Sequence, residues 1–241
     1  MNVLLITDKL IHGGAENYFC RLENELHNSD LSMFSAAGPG ELFSQIKHKE
    51  NFHNMSRTNH MKNILDIRLL IKKHQIDVIH ANSLRMVLYL CFIKIFFRKN
   101  KNLRILYTKH NITALEKSPA LFSRLINRYV DRIIAVSQFE RENLIRTGVK
   151  ASKVTTVYNG VDLDKFHFRN KMKGENFKVG ILARLSEEKN HALFLQIASD
   201  LRDINNLMFY IAGDGPEREN ILKQIEALGI ADKVVLVGNT A

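Results

Sequence analysis

The chain has 241 residues, 45% apolar and 25% charged, with 35 Lys and Arg against 25 Asp and Glu and a net charge of +10. That balance excludes disordered, collagen-like and disulfide-scaffold proteins, and the length suits one or two domains, each able to bury a core. Two cysteines, Cys20 and Cys91, both in apolar helical patterns, point to a reduced, cytoplasmic compartment rather than a disulfide framework. Asn2–Thr7 reads as a strand, Gly14–His27 as a helix, and Leu31–Ala36 as a second strand ending at Gly38-Pro39-Gly40. Helices are expected over Met61–His74 and Ser83–Phe97, with a short buried strand at Asp77–His80 between them. A strand at Leu103–Thr108, a helix near Pro119–Asn127, a strand at Arg132–Val136, a helix at Gln138–Thr147 and a strand at Lys153–Tyr158 follow. After a polar, basic interval the alternation resumes: strand Phe177–Leu182, helix Asn190–Arg202, strand Leu207–Ala212, helix Pro216–Leu228 and strand Lys233–Val237. This succession predicts an α/β protein with parallel sheets covered by helices on both faces.

Residues 1–174 carry 28 Lys and Arg against 15 Asp and Glu, whereas 175–241 carry 7 against 10, so a basic part precedes a mildly acidic one. We expect a first domain over 1–168, a linker at 169–175 and a second, partial domain over 176–241, with Asn159–Gly174 as the hinge. The start lacks a basic leader, and the most apolar stretch, Leu84 to Phe97, is broken by Arg85 and Lys94, so no signal peptide or spanning helix is expected.

Gly13-Gly14-Ala15-Glu16 stands between the first strand and first helix. Bare backbone at a helix start suits an anion such as phosphate, and it equally suits a tight turn, with Glu16 favouring the helix dipole. Arg184 and Lys189 share a strand-to-helix loop where open α/β sheets take ligands; they can grip a diphosphate, or be neutralised by Glu187 and Glu188. Gly213-Asp214-Gly215-Pro216 imitates the start of a dinucleotide fingerprint but has Arg218 in place of the third glycine, and Pro216 suits a first helical position. His80 and His110 both fall at strand ends near the glycine turn, as structural or reactive imidazoles. No Cys/His spacing suggests zinc, and neither a serine-hydrolase elbow nor a P-loop occurs. Between Arg85 and Arg104, aromatic and basic residues interleave, either as a face for anionic lipid or as a buried crossover helix with a basic exit. Aromatics do not alternate along a strand as a nucleic-acid platform requires, so no nucleic-acid partner is expected.

In order, these pieces resemble family 4 of the glycosyltransferases. Gly13-Gly14-Ala15-Glu16 is similar to its glycine loop, Asp77-Val78-Ile79-His80-Ala81-Asn82 to its Asp-Val-Val-His-Ala-His strand with Asn82 for the second histidine, and Thr108-Lys109-His110 to its Thr-x-His. Ile134-Ala135-Val136-Ser137, Val157-Tyr158-Asn159-Gly160-Val161-Asp162 with Phe166, the pair Arg184 and Lys189, Gly213-Asp214-Gly215-Pro216 and Val234-Val235-Leu236-Val237-Gly238 follow at the usual spacing. The resemblance implies a GT-B fold of two Rossmann-like, doubly wound parallel-sheet domains, the second incomplete, and transfer of a sugar from a nucleotide-diphosphate donor with retained anomeric configuration.

It further implies that Gly13, Gly14, Arg184 and Lys189 bind the donor diphosphate without a metal or other cofactor, that His110 is the catalytic contact to the sugar, and that Glu16, His80, Asn159 and Gly213 are donor or acceptor contacts. The acceptor implied is a polysaccharide or lipid-linked precursor at the inner face of the plasma membrane, with the basic first domain against anionic lipid. The family's two glutamates eight positions apart have no counterpart after Gly174. We therefore expect a chain truncated relative to the family at its C-terminal side, with a non-catalytic binding module as the alternative function.

Overall fold

The computed structural model describes residues 1–26, 29–97, 103–110, 113–164 and 177–239. The chain divides into two compact units, Met1–Asp162 and Leu163–Ala241. The linker expected at 169–175 lies outside the described residues.

The first unit runs β1 (Asn2–Thr7), α1 (Gly14–Glu25), β2 (Ser32–Ala37), β3 (Phe52–Asn54), α2 (His60–Lys73), β4 (Val78–Ala81), α3 (Leu84–Phe96), β5 (Arg104–Lys109), α4 (Pro119–Tyr129), β6 (Arg132–Ala135), α5 (Gln138–Arg146) and β7 (Val154–Thr156). Its strands form one parallel sheet in the order β3-β2-β1-β4-β5-β6-β7. The chain winds outward from β1 through β3, then returns to β4 on the other side of β1. This reversal is a topological switch point, where the carboxyl ends of β1 and β4 leave a crevice.

Alternation along β1 shows the double winding directly. Leu4 and Ile6 join Ile64, Ile67, Leu90 and Phe122 in one core, while Val3 and Leu5 join Phe19, Cys20 and Leu42 in another. Three helices of the first unit begin where a short polar side chain accepts from their own first turn: Asn59 from Lys62 N for α2, Ser83 from Met86 N for α3, and Ser137 from Glu140 N for α5. Strand β3 was not expected. With only three residues it shows too little alternation to stand out, and it exists because Ser35, Ala36 and Ala37 of β2 offer it a free edge.

The second unit contains β8 (Phe177–Leu182), α6 (His191–Asp200), β9 (Leu207–Ala212), α7 (Arg218–Ala227) and β10 (Val234–Gly238), with a parallel sheet in the order β10-β9-β8. Leu207, Phe209 and Ile211 of β9 bury against Leu195, Ala198, Ile221 and Ile225 of the two helices. Pro216 does not open α7. Glu217 N is drawn to the Leu185 carbonyl at 3.0 Å, so the first helical residue is Arg218. The α/β architecture of two parallel, helix-covered sheets is as expected, the second sheet being the smaller. Among the described residues no helix is long and apolar enough to cross a membrane.

Candidate functional site

In the first unit, β1, β4 and β5 deliver their C-terminal residues to the switch point. Gly13 is the N-cap of α1 and has extended backbone geometry. A Cβ on Gly13 would collide with the carboxylate of Glu16, whereas one on Gly14 would meet nothing within 4 Å. The helix start is therefore open on the Gly14 side, while at Gly13 the Glu16 carboxylate lies against the backbone.

His80, on β4, is buried, and its Nε2 lies 2.6 Å from the Thr108 hydroxyl on β5. His110 follows β5 directly, and its Nε2 lies 3.1 Å from Asn82 Oδ1. The Asn82 Nδ2 donates to the Ala15 carbonyl at 2.8 Å, joining β4 to the first turn of α1. Tyr18, also on α1, presents its ring edge-on to both imidazoles, with centroids 4.9 Å from His110 and 6.3 Å from His80. Burial pushes both imidazoles down to a pKa of about 4, and for His80 the neighbouring His110 charge adds to the effect. At neutral pH both rings are uncharged.

Beneath this cluster lies a buried ion group. Lys109, fully enclosed, reaches Glu116 Oε2 at 2.9 Å and Glu140 Oε1 at 2.5 Å. Glu116 also accepts from the Thr113 backbone N–H at 2.6 Å and the Thr113 hydroxyl at 2.8 Å. The two carboxylates fasten the end of β5 to the segment after His110 and to α5.

In the second unit, Arg184 and Lys189 sit on the loop from β8 to α6, both exposed. The Arg184 guanidinium donates to Glu188 Oε1 at 2.5 Å, and this bond first, then Glu188's own backbone N–H and the Ser186 hydroxyl, holds the Glu188 carboxyl down at about 2. Glu188 thus neutralises Arg184 within its own loop. His191 is buried and places Nε2 3.1 Å from the Arg184 carbonyl oxygen. Gly213 has φ +136, and a Cβ there would overlap the Ala183 carbonyl oxygen. Leu185 N donates to the Asp214 carbonyl at 2.9 Å, so Gly213 and Asp214 brace the loop that carries Arg184.

The structure thus gathers Gly13, Gly14, Glu16, His80 and His110 at one sheet edge of the first unit. Arg184, Lys189 and Gly213 lie together in the strand-end loops of the second. Asn159 is exposed in the loop after β7, whose Gly160 carbonyl accepts from Arg21 at 2.6 Å. The hydrogen bonds and ring contacts of the imidazole cluster, among the described residues, do not reach Asn159. Neither Tyr18 nor the Lys109 ion group stands out in the sequence: Tyr18 fits an ordinary position of the helix that starts at Gly14, and Lys109 the middle residue of Thr-x-His. Among the described residues no three His, Cys, Asp or Glu side chains converge to hold a metal ion.

The model of Glycosyltransferase Family 4 matches residues 12–165, and that of Glycosyl transferases group 1 matches residues 162–241. The alpha-monoglucosyldiacylglycerol synthase of Streptococcus pneumoniae (strain ATCC BAA-255 / R6) is 27% identical over 199 residues, covering 71% of this chain and 44% of that protein. The phosphatidylinositol N-acetylglucosaminyltransferase GPI3 subunit of Saccharomyces cerevisiae (strain YJM789) is 24% identical over 188 residues, covering 72% of this chain and 41% of its own length. The chain spans less than half the length of both curated relatives. Anabaena HepE, solved in complex with UDP and glucose, matches with a TM-score of 0.76 at 19% identity, over 100% of this chain and 70% of that one, a likeness of fold. The family model covers the glycine turn, both imidazoles and most of the sheet that positions them, and on that match the chain belongs to Glycosyltransferase Family 4.

Proposed function

We propose that this protein takes part in transferring a sugar from a nucleotide-diphosphate donor to a lipid-linked or polysaccharide acceptor, with the anomeric configuration retained. The observation that carries the reading is the meeting of the Gly13-Gly14 helix start, open at Gly14, with two uncharged imidazoles at one switch point. In this reading the cations Arg184 and Lys189 of the second unit take up diphosphate charge, so no metal is required. Neutral His110 hydrogen-bonds the sugar, and the departing phosphate itself takes the acceptor's proton. Support for a nucleotide donor comes from the UDP complex of Anabaena HepE, and for a lipid acceptor from both curated relatives, which are named for lipids.

The decisive experiment is calorimetry of UDP binding to the 241-residue chain and to Arg184→Ala/Lys189→Ala. The double variant is expected to bind roughly 100-fold more weakly, as loss of charge-assisted hydrogen bonds implies. Equal affinity of the two proteins overturns the diphosphate assignment. UDP binding without turnover, in the presence of donor and lipid acceptor, assigns the chain as a binding module instead.

The reading puts the protein in the cytoplasm, resting on the inner face of the plasma membrane through its basic first unit. Met61, Leu65 and Leu69 recur at four-residue spacing on α2, all exposed, with Lys62 and Lys72 beside them. On α3, seven residues are buried as a crossover helix demands, but Ile95 and Phe96 at its end are exposed. Cosedimentation with phosphatidylglycerol vesicles, lost in phosphatidylcholine or at high salt, is the expected result. Equal partition into both vesicle types overturns the electrostatic part of this reading.

A further inference from the structure

Asn82 is buried at the end of β4 and makes two side-chain hydrogen bonds of opposite sense. A backbone carbonyl oxygen only accepts, so the amide –NH2 must face Ala15 O, at 2.8 Å, and the amide oxygen must face the imidazole of His110, at 3.1 Å. An oxygen that only accepts requires the proton on His110 Nε2, which leaves the ring's lone pair on Nδ1. The backbone of Asn82 is fixed as well, because its N–H donates to the Ile6 carbonyl of β1 at 2.8 Å. Asn82 therefore links three elements at the end of β4: β1 through its backbone, the first turn of α1 through its –NH2, and the residue after β5 through its amide oxygen.

We propose that Asn82 is a positioning residue that sets the tautomer of His110 and ties that ring to the Gly13-Gly14 helix start, so that an acceptor nitrogen and the helix N–H groups are held as one unit. The inference rests on the transferase reading only in taking His110 to touch substrate; the hydrogen-bond chain stands without it. A histidine at this position, as in the pattern the sequence resembles, also offers one donor and one acceptor. Asn82→His is therefore the conservative exchange, whereas alanine offers neither and aspartate only acceptors.

The test is nitrogen-15 NMR of histidine-labelled full chain, wild type against Asn82→Ala, Asn82→Asp and Asn82→His. The wild type is expected to show His110 as a single tautomer with a slowly exchanging Nε2 proton. In Asn82→Ala that proton is expected to exchange at least about tenfold faster, with the ring averaging between tautomers. In Asn82→Asp the carboxylate is expected to raise the His110 titration midpoint clearly above that of the wild type, and Asn82→His restores the protected proton. A wild-type proton on Nδ1, or a folded Asn82→Ala with unchanged tautomer and exchange, overturns the proposal. If Asn82→Ala does not fold, an unmoved midpoint in Asn82→Asp overturns it. Failure of the wild type to bind UDP while the tautomer signature is intact rejects the transferase reading alone.

Discussion

The guanidinium of Arg184 is held by the carboxylate of Glu188, four residues along the same loop, at 2.5 Å. An anion that Arg184 receives competes with this partner for the guanidinium. Both side chains are more than half exposed, so the pair is weak and exchangeable rather than a fixed part of the fold. Because the Glu188 carboxyl titrates at about 2, the pair persists through mildly acidic and neutral pH.

It follows that Glu188→Gln, which keeps the shape and removes the charge, tightens UDP binding by about two- to fivefold. Calorimetry at low ionic strength measures this. Weaker binding would show that Glu188 preorganises Arg184 instead of competing for it.

The two imidazoles set a pH dependence of stability. Each titrates at about 4 in the folded chain, against 6.5 unperturbed. Between those values the unfolded chain binds more protons than the folded one, so unfolding free energy falls as pH drops from 6.5 towards 4 and levels off below. For His80, almost wholly buried, the loss amounts to about 3 kcal/mol at most. Urea midpoints across this window should fall in the wild type and fall less steeply in His80→Gln, where His110 alone still titrates; a parallel slope in that variant removes His80 as a cause.

Lys109→Met leaves the Glu116 and Glu140 carboxylates close together, buried and without their cation. A loss of about 3–5 kcal/mol is expected from breaking a buried ion group this way. Replacing all three residues with apolar ones of similar volume should cost far less. Denaturant unfolding of both variants makes the comparison, and equal losses would mean that packing, not charge, dominates here.

Two glycines should separate fold from function. Gly213→Ala forces a Cβ onto the Ala183 carbonyl from a backbone at φ +136, so it should destabilise the second unit by about 2 kcal/mol or more. Gly14→Ala meets open space and should leave the melting temperature unchanged while weakening UDP binding. A stable Gly213→Ala protein would contradict the bracing role given to that turn.

Strand and helix order was legible because the apolar period switches cleanly between alternate and helical spacing. Asn2–Thr7 and Phe177–Leu182 are expected and observed with identical bounds. Helix ends moved by a few residues where capping decided them, as at Glu217, whose N–H is taken by Leu185 O. The glycine turn and both histidines were also legible, since strand ends in a parallel sheet share one edge. What tertiary structure alone decided is which atoms meet there. Asn82 reads in the sequence as a departure from a histidine pattern; only the approach of α1 and β5 gives its amide a carbonyl on one side and an imidazole on the other. Likewise Glu140 stands 31 positions from Lys109, and no local periodicity brings that lysine between two acids. Local propensity fixes where elements lie, whereas partners for buried charge and tautomers of buried rings depend on long-range packing, which the chain encodes only through the completed sheet.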